Sequence, residues 1–277
     1  MTAPLPPRLT PTRPAPAAAG AQAVQRALSL LSLVGRGGPD GLGLGYLTAA
    51  SGLSRPTVRR LLLALAQARL VEQDAASRRY HLGPEAYFLA GFATPRHGLL
   101  THAADSLRRL AAETGDTALL SVQQDDHVIC LHREEGSFPI RTHALKAGDR
   151  NPIGVGAGSL AILAALPEAE SRALRARIAP LLRDIPPPEV LAADEAEARR
   201  TGHALNPGRV VPGSWGIGVA LRWSDGRPAG ALSIAAIEDR MTPDRQPQLV
   251  ALLRREATLV ETRLAQLAAA PPQPRKD

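Results

Sequence analysis

The sequence predicts an α+β protein in two parts, a winged helix-turn-helix at the amino-terminal end and a mixed strand-and-helix domain behind it. Three observations carry this expectation. Tyr46 to Arg69 reads as two short helices broken by Ser51-Gly52-Leu53-Ser54. The excess positive charge is confined to the first third of the chain. Beyond Gly98, two-residue alternation and helical periodicity intermingle, which is the pattern of an α+β sensor-like domain.

In the helix-turn-helix, Tyr46 to Ala50 opens as an apolar helix, and Gly52 is free to take the left-handed conformation of a tight inter-helix turn. Ser54 is placed to cap the second helix, and Pro56 falls in its first turn, where the missing N–H costs nothing. Val58, Leu61, Leu62 and Leu65 recur at helical spacing and define a buried stripe. Arg55, Thr57, Arg59 and Arg60 remain on or near the outer face, where a recognition helix meets base edges and phosphates. Val71 to Gly83 follows as two short strands around Asp74-Ala75-Ala76-Ser77, with Arg78 and Arg79 at the turn, and reads as a wing. A plain helical hairpin with solvated arginines is the alternative. Cap, turn, stripe, basic face and wing together favour DNA. The candidate DNA-binding residues are therefore Ser54, Arg55, Thr57, Arg59, Arg60, Arg78 and Arg79.

Charge supports the same division. The chain of 277 residues has a net charge of +7. Residues 1–83 hold ten arginines against Asp40, Glu72 and Asp74, so the entire excess lies there and the remainder is balanced. Such asymmetry implies a polyanion partner, double-stranded DNA, for one domain only. No apolar run approaches the roughly 20 residues that span a bilayer, and no signal-peptide pattern opens the chain. Cys130 is the sole cysteine, so the expectation is a cytoplasmic protein with no intrachain disulfide and no membrane partner. Six prolines in the first sixteen positions predict a disordered tail over residues 1–20.

Along the chain, Ala21 to Val34 reads as a helix with Val24, Leu28, Leu31 and Val34 inward, and Gly35 to Gly45 as a glycine-rich loop. Pro84 to Phe92 reads as a connecting helix, broken by Thr94-Pro95-Arg96-His97-Gly98. Leu99 to Thr114 is a helix, Thr117 to Gln123 and His127 to Arg133 form a hairpin, and Phe138 to Leu145 is extended. Gly148 to Gly158 is a loop into a helix ending at Leu166-Pro167, followed by helical segments Glu168 to Leu182 and Pro188 to Gly202. Asn206 to Gly216 is a long polar loop opening onto strands Gly216 to Arg222 and Pro228 to Ile237. The terminal helix Pro243 to Leu267 carries Leu249, Leu253, Ala257, Val260, Leu264 and Leu267 on one stripe.

No catalytic, metal or cofactor constellation assembles. The histidines, including His127, His132 and His143, lack ligand spacing, and Cys130 reads as a buried structural thiol. Gly154 to Ser159 lacks the lysine of a phosphate loop and reads as a turn packing closely under a ligand or helix. Gly213-Ser214-Trp215-Gly216 has the wrong spacing for a nucleophile elbow. Binding is better supported: Ala231, Ser233 and Ala235 form a small-residue strand face beside the loop bearing Arg209 and Trp215. Either a helix or a ligand fills the space above that face.

The whole layout resembles the isocitrate-lyase-regulator (IclR) family of bacterial transcription factors. The residues that carry the resemblance are Ala23 to Leu28, Gly52 to Leu62, Tyr80-His81-Leu82-Gly83, Gly148, Pro152, Leu163 to Pro167, and Asp225-Gly226-Arg227 before Ala231 to Ile234. It covers about residues 21 to 268. It implies a winged helix over 21–83, a dimerising linker helix over 84–98, and a GAF-like effector-binding and oligomerisation domain over 99–268, with a second tail at 269–277. It further implies a dimer or tetramer that binds a small metabolite. The family usually has Gly-Lys where Ser159-Leu160 stand, and its acid-binding members carry a cysteine near Gly216 and a second serine where Ala235 stands. Ser233 is the retained candidate, with Arg209, Ser214, Trp215, Gly216 and Ala235 as the other effector-site candidates. These departures favour a larger or more apolar effector, such as an aromatic or apolar organic acid, or none.

The function expected is that of a dimeric, ligand-responsive regulator, for instance a repressor, on a pseudo-palindromic operator. Two alternatives stay open. One is a constitutive DNA-binding protein whose second domain only oligomerises; the other is a GAF-like enzyme.

Overall fold

The computed structural model describes residues 21–142, 145–182 and 186–269. The tails expected at residues 1–20 and beyond 269, and His143, lie outside them. The chain divides into two compact units between His97 and Gly98.

The amino-terminal unit comprises α1 (Gln22–Gly35), α2 (Leu44–Ser51), α3 (Arg55–Gln67), β1 (Val71–Gln73), β2 (Tyr80–Leu82) and α4 (Pro84–His97). Its core joins Leu30, Val34, Leu47, Val58, Leu61, Leu62, Leu65, Val71 and Tyr80. The inward face of α1 differs from the expected one. Leu30 and Val34 are buried, whereas Val24 and Leu28 are 59% and 53% exposed. The run Leu28-Ser-Leu-Leu-Ser-Leu-Val contains two overlapping helical stripes, and packing against α2 and α3 selects the later one. Within the expected glycine loop, Leu42 pairs with Tyr80, through N–H···O bonds of 3.0 and 2.9 Å, and lends the wing a third short strand. Helix α4 continues past the expected break to His97; Pro95 deprives the Gly91 carbonyl of its donor without stopping the helix.

The carboxy-terminal unit is built on a six-stranded antiparallel sheet. Its strands are β3 (Thr117–Gln124), β4 (His127–Glu134), β5 (Arg150–Pro152), β6 (Ala204–Val211), β7 (Ser214–Arg222) and β8 (Pro228–Ile237), in the order β5-β4-β3-β8-β7-β6. Two expectations are corrected here. Phe138 to Thr142, with Leu145, is not a strand; the edge of β4 is taken by Arg150–Pro152 instead. The polar loop Asn206 to Gly216 is a hairpin, because Ala204, Leu205 and Asn206 pair with Gly218, Ile217 and Gly216 and a bulge absorbs the residues before Val211.

Strand alternation sorts the two faces. Ala118, Leu120, Ile217, Val219, Leu221, Leu232, Ile234 and Ala236 meet α5 (Leu99–Thr114) and α9 (Gln246–Ala269) in one core. On α9, Leu249, Leu253, Ala257, Val260 and Leu264 are buried, while Leu267 is 47% exposed and falls off the expected stripe. The opposite face receives α6 (Ala157–Ala165), with α7 (Glu168–Ile178) and α8 (Pro188–Thr201) packed outside it. Helix α6 comes very close to β7. A Cβ on Gly218 would lie 3.1 Å from the Ala157 carbonyl and the Gly158 nitrogen, and one on Gly216 would lie 3.2 Å from the Ala157 Cβ. Glycine at both positions lets the start of α6 rest on the sheet.

Candidate functional site

Two regions carry functional geometry, one in each unit. In the first, Gly52 adopts the left-handed conformation (φ 66°) at the end of α2 and turns the chain into α3. Ser54 occupies the N-cap position in extended conformation, but its hydroxyl caps no backbone N–H. It bonds the Thr57 hydroxyl at 2.8 Å instead. The stripe Val58, Leu61, Leu62 and Leu65 is buried against α1 and α2, leaving Arg55, Arg59 and Arg60 exposed and Thr57 half-buried. None of these three arginines has a side-chain partner among the described residues.

The wing is a tight hairpin. Asp74 accepts the Ser77 N–H at 2.7 Å and the Ser77 hydroxyl at 2.6 Å, and these bonds, the hydroxyl's first, hold its carboxyl below the ordinary value. Arg78 takes φ 57° at the turn and is exposed. Arg79 behaves differently from its neighbour: its guanidinium donates to the carbonyls of Asp40 at 3.0 Å and Gly41 at 3.2 Å. The side chain expected to reach DNA is folded back as a strut between wing and body.

The second region is a pocket on the α6 face of the sheet, whose empty space, its solvent-open mouth included, is about 650 Å³. Its floor follows from register. Thr117, Ala235 and Gly216 are successive cross-strand neighbours, as are Leu119, Ser233 and Gly218, and then Ser121, Ala231 and Ala220. Ala231 lies in the core with α6, whereas Thr117, Leu119, Ser121, Ser214, Gly216, Ser233 and Ala235 border the cavity. The small-residue face is thus shared, with helix over one end and open space over the other. The first turn of α6 closes one wall, so that a Cβ on Gly158 would lie 3.2 Å from the Ser233 hydroxyl and 3.4 Å from that of Ser121. Thr142, Asn151 and Cys130 line the β4–β5 side.

Of the effector-site residues expected from sequence, Ser214, Trp215, Gly216, Ser233 and Ala235 line this cavity and Arg209 does not. The Arg209 guanidinium grips Asp194 of α8, with Nε at 2.7 Å and a second nitrogen at 2.9 Å. Alternation also turns Trp215 toward the α5–α9 core, against which it packs while contributing to the lining. Gly216 lacks a side chain because Ala157 fills the place, so its smallness leaves no extra room for a ligand.

Sequence reasoning missed Thr117, Ser121, Thr142 and Asn151. The first two share the face of Ser233 by simple alternation from Leu119, a signal available once β3 is paired with β8. The Thr142 hydroxyl is buried and has no hydrogen-bond partner among the described residues. The hydroxyls of Thr117, Ser121, Ser214 and Ser233 likewise have none among the described residues. Cys130 is buried, donates to the His132 carbonyl at 3.4 Å, and burial pushes its thiol up to about 12. It is an inert thiol at neutral pH. No described side chain lining the cavity carries a formal charge, and no helix among the described residues is long and apolar enough to cross a membrane.

Comparison with known proteins places this geometry. Residues 23–75 match the IclR helix-turn-helix domain, and residues 92–262 match the carboxy-terminal domain of the bacterial transcriptional regulator IclR. The transcriptional regulator BhcR of Paracoccus denitrificans is 30% identical, the match covering 82% of this chain and 81% of that protein. The glycerol operon regulatory protein of Streptomyces coelicolor is 29% identical over 84% of this chain and 92% of its own. The crystal structure of a putative IclR transcriptional regulator from Silicibacter sp. TM1040 superposes with a TM-score of 0.75 at 30% identity, covering 90% of this chain and 98% of that one. With an amino-terminal helix-turn-helix, a carboxy-terminal α+β domain and this agreement across most of its length, the chain belongs to the IclR family of DNA-binding transcriptional regulators.

Proposed function

We propose that the chain binds a pseudo-palindromic operator as a dimer through α3 and the wing, and that occupancy of the carboxy-terminal cavity by a small molecule changes that binding. The observation that carries the reading is the set of exposed arginines Arg55, Arg59 and Arg60 on the first turns of α3, unpaired among the described residues, with Arg78 at the wing tip. Long cations left without partners on a helix that follows a tight turn suit phosphates and guanine edges. One such helix covers only a few base pairs, so specificity calls for two, spaced by a helical turn or a multiple of it.

Helix α4 supports the dimer. Tyr87 and Phe92 are 79% and 81% exposed, and Phe88 and Leu89 are 47% and 50% exposed. The whole chain has only eight aromatic residues, so three on one exposed helix mark a face that a second copy covers. The cavity supports ligand control rather than turnover, because its hydroxyls face one another with no carboxylate or imidazole among the described lining residues to act as a base. On this reading the protein acts by binding, in the cytoplasm.

Footprinting of the full-length protein on its own promoter region tests this. Protection of two symmetric half-sites is the expected result, with affinity reduced by Arg59→Ala or Arg60→Ala. A monomer on an unsymmetrical site, or affinity untouched in both variants, would overturn it.

A further inference from the structure

We infer that the effector is an uncharged, polyhydroxylated molecule of monosaccharide size or smaller, an inference that rests on the cavity being the effector site. Five hydroxyl-bearing residues line one space, Thr117, Ser121, Thr142, Ser214 and Ser233, and the hydroxyls of Ser121 and Ser233 both lie beside the first turn of α6. All five residues are at least nine-tenths buried, with exposures of 3%, 3%, 8%, 7% and 4%. None of the five hydroxyls has a hydrogen-bond partner among the described residues, and the Thr142 oxygen is fully cut off from solvent. Hydroxyls that have no protein partner around a cavity are paired by whatever fills it, water or ligand, and so mark what an occupant must supply.

The type of group narrows the occupant. A hydroxyl both donates and accepts. A carboxylate only accepts, so it would use one half of each hydroxyl's capacity and leave the other half buried and unused. It would also lose the hydration of a full charge in a cavity whose described lining offers no cation, with only the first-turn N–H groups of α6 in return. Ligand hydroxyls match donors and acceptors together and bring no charge to desolvate. Leu119, Val128, Val155 and Val210 supply the apolar part of the lining, beside Ser159 and Asn206, and suit the C–H face of a polyol or sugar ring. The amide of Asn151 adds further polar capacity at the β5 side.

Matched pairs isolate charge from shape: glycerol against glycerate, and xylitol against xylonate, with D-xylose as a ring form. Calorimetric titration and thermal melting would use the full-length protein, its Thr142→Val and Ser233→Ala variants, and the cavity-filling Ser233→Leu variant. The uncharged member of at least one pair should bind more tightly than its acid. Thr142→Val is isosteric and removes an unpaired buried hydroxyl, so the free protein should melt no lower than wild type, while polyol affinity falls about tenfold. A structural role for Thr142 would move the two measurements the other way round. Should the acids bind better than the alcohols, with binding abolished by Ser233→Leu, the uncharged class is overturned and the cavity stands as the effector site. Should a compound bind wild type, Thr142→Val and folded Ser233→Leu equally, the cavity itself is wrong. Absence of binding by every uncharged compound at millimolar concentration also overturns the inference.

Discussion

In the amino-terminal unit the guanidinium groups of Arg26, Arg36, Arg55, Arg59, Arg60, Arg69 and Arg78 have no partner among the described residues, and no ion pair forms there between described side chains. In the carboxy-terminal unit three buried acids are each gripped by two arginines. Asp116 meets Arg240 at 2.8 Å and Arg245 at 2.7 Å. Glu256 meets Arg109 at 2.6 Å and Arg255 at 2.8 Å. Glu195 bonds Arg199 at 2.8 Å, and Arg175 approaches its other oxygen to 2.8 Å without an aligned hydrogen bond. The same residue type therefore does two jobs. Where acids are present, arginine ties α5 to α9, α7 to α8, and the turn after α5 to the segment before α9. Where they are missing, it stays free for a partner that brings its own negative charge. Net charge alone conceals this, and the pairing pattern reveals it.

Salt gives the widest separation of the two jobs. Operator affinity should fall with a logarithmic slope of about −0.9 per phosphate neutralised. Arg55, Arg59, Arg60 and Arg78 from two protomers make enough contacts for a loss of about a thousandfold or more between about 50 and 200 mM salt. The melting of the carboxy-terminal unit should barely move over the same range, because the acids of its three double grips are buried and poorly screened and its exposed pairs contribute little. A flat binding curve, or a parallel drop in melting temperature, would erase the distinction drawn here.

Breaking one buried grip should be the next largest effect. The Glu256 side chain is 1% exposed, so Glu256→Ala strips Arg109 of its buried acid and leaves Arg255 with Glu113 alone, and should cost the carboxy-terminal unit about 3 kcal/mol. Burial pushes the Glu256 carboxyl up, but hydrogen bonds from Arg109, Ser106 and Arg255 outweigh it and hold the carboxyl below its ordinary value. Because the folded state prefers the ionised form, this stabilisation is complete above the unfolded carboxylate value of about 4.3. It is lost as pH falls through the lower folded value. Acid titration of the melting temperature should show this limb in wild type and a weaker one in Glu256→Gln. Equal limbs would mean that other carboxylates carry the acid sensitivity.

Much of this was legible in local sequence, and the parts that were not share a cause. The turn at Gly52, the buried stripe of α3 and the bounds of α5 are set by residues within one or two turns of each other, so periodicity finds them. Strand β6 begins in Ala204-Leu205-Asn206 and runs on through Pro207-Gly208, which reads as loop until β7 pairs with it. Phe138 to Leu145 alternates like a strand, yet the β4 edge belongs to Arg150–Pro152. The cavity shows both sides. Ser233 and Ala235 stood out as small residues on a strand, while Thr117 and Ser121 join them only through the register of β3 on β8, and Thr142 only through the path of a loop. Arg209 looked like an anchor because Asp194, fifteen positions away on another element, could not be seen to hold it.

On α3 the comparison predicts a separation of affinity from stability. Arg60→Ala, and to a similar degree Arg59→Ala, should weaken operator binding by about 1–3 kcal/mol. Neither side chain has a partner among the described residues, so the melting temperature should stay within error of wild type. A loss of stability in either variant would show that these arginines also serve the fold, as they do in the other unit.

The smallest effect is also the sharpest test, because it sets two adjacent residues of one type against each other. Arg78 stands exposed at the wing turn, and Arg79 donates to the carbonyls of Asp40 and Gly41. Arg79→Ala removes a bridge between the wing and the segment before α2 and should lower the stability of the amino-terminal unit by about 1 kcal/mol. Its effect on operator binding should vanish under conditions where the wing stays folded. Arg78→Ala should do the reverse, leaving stability unchanged and reducing affinity by about 1 kcal/mol through one lost phosphate contact, with the salt slope shallower by about one unit per protomer. The φ of 57° at Arg78 allows a second variant, Arg78→Gly, which removes the charge and relieves the backbone together. That variant should gain a little stability and lose the same affinity as Arg78→Ala. If Arg79→Ala instead lowered affinity and left melting untouched, the wing arginines would have exchanged roles on DNA, and the backbone bonds of Arg79 would be a feature of the free protein alone.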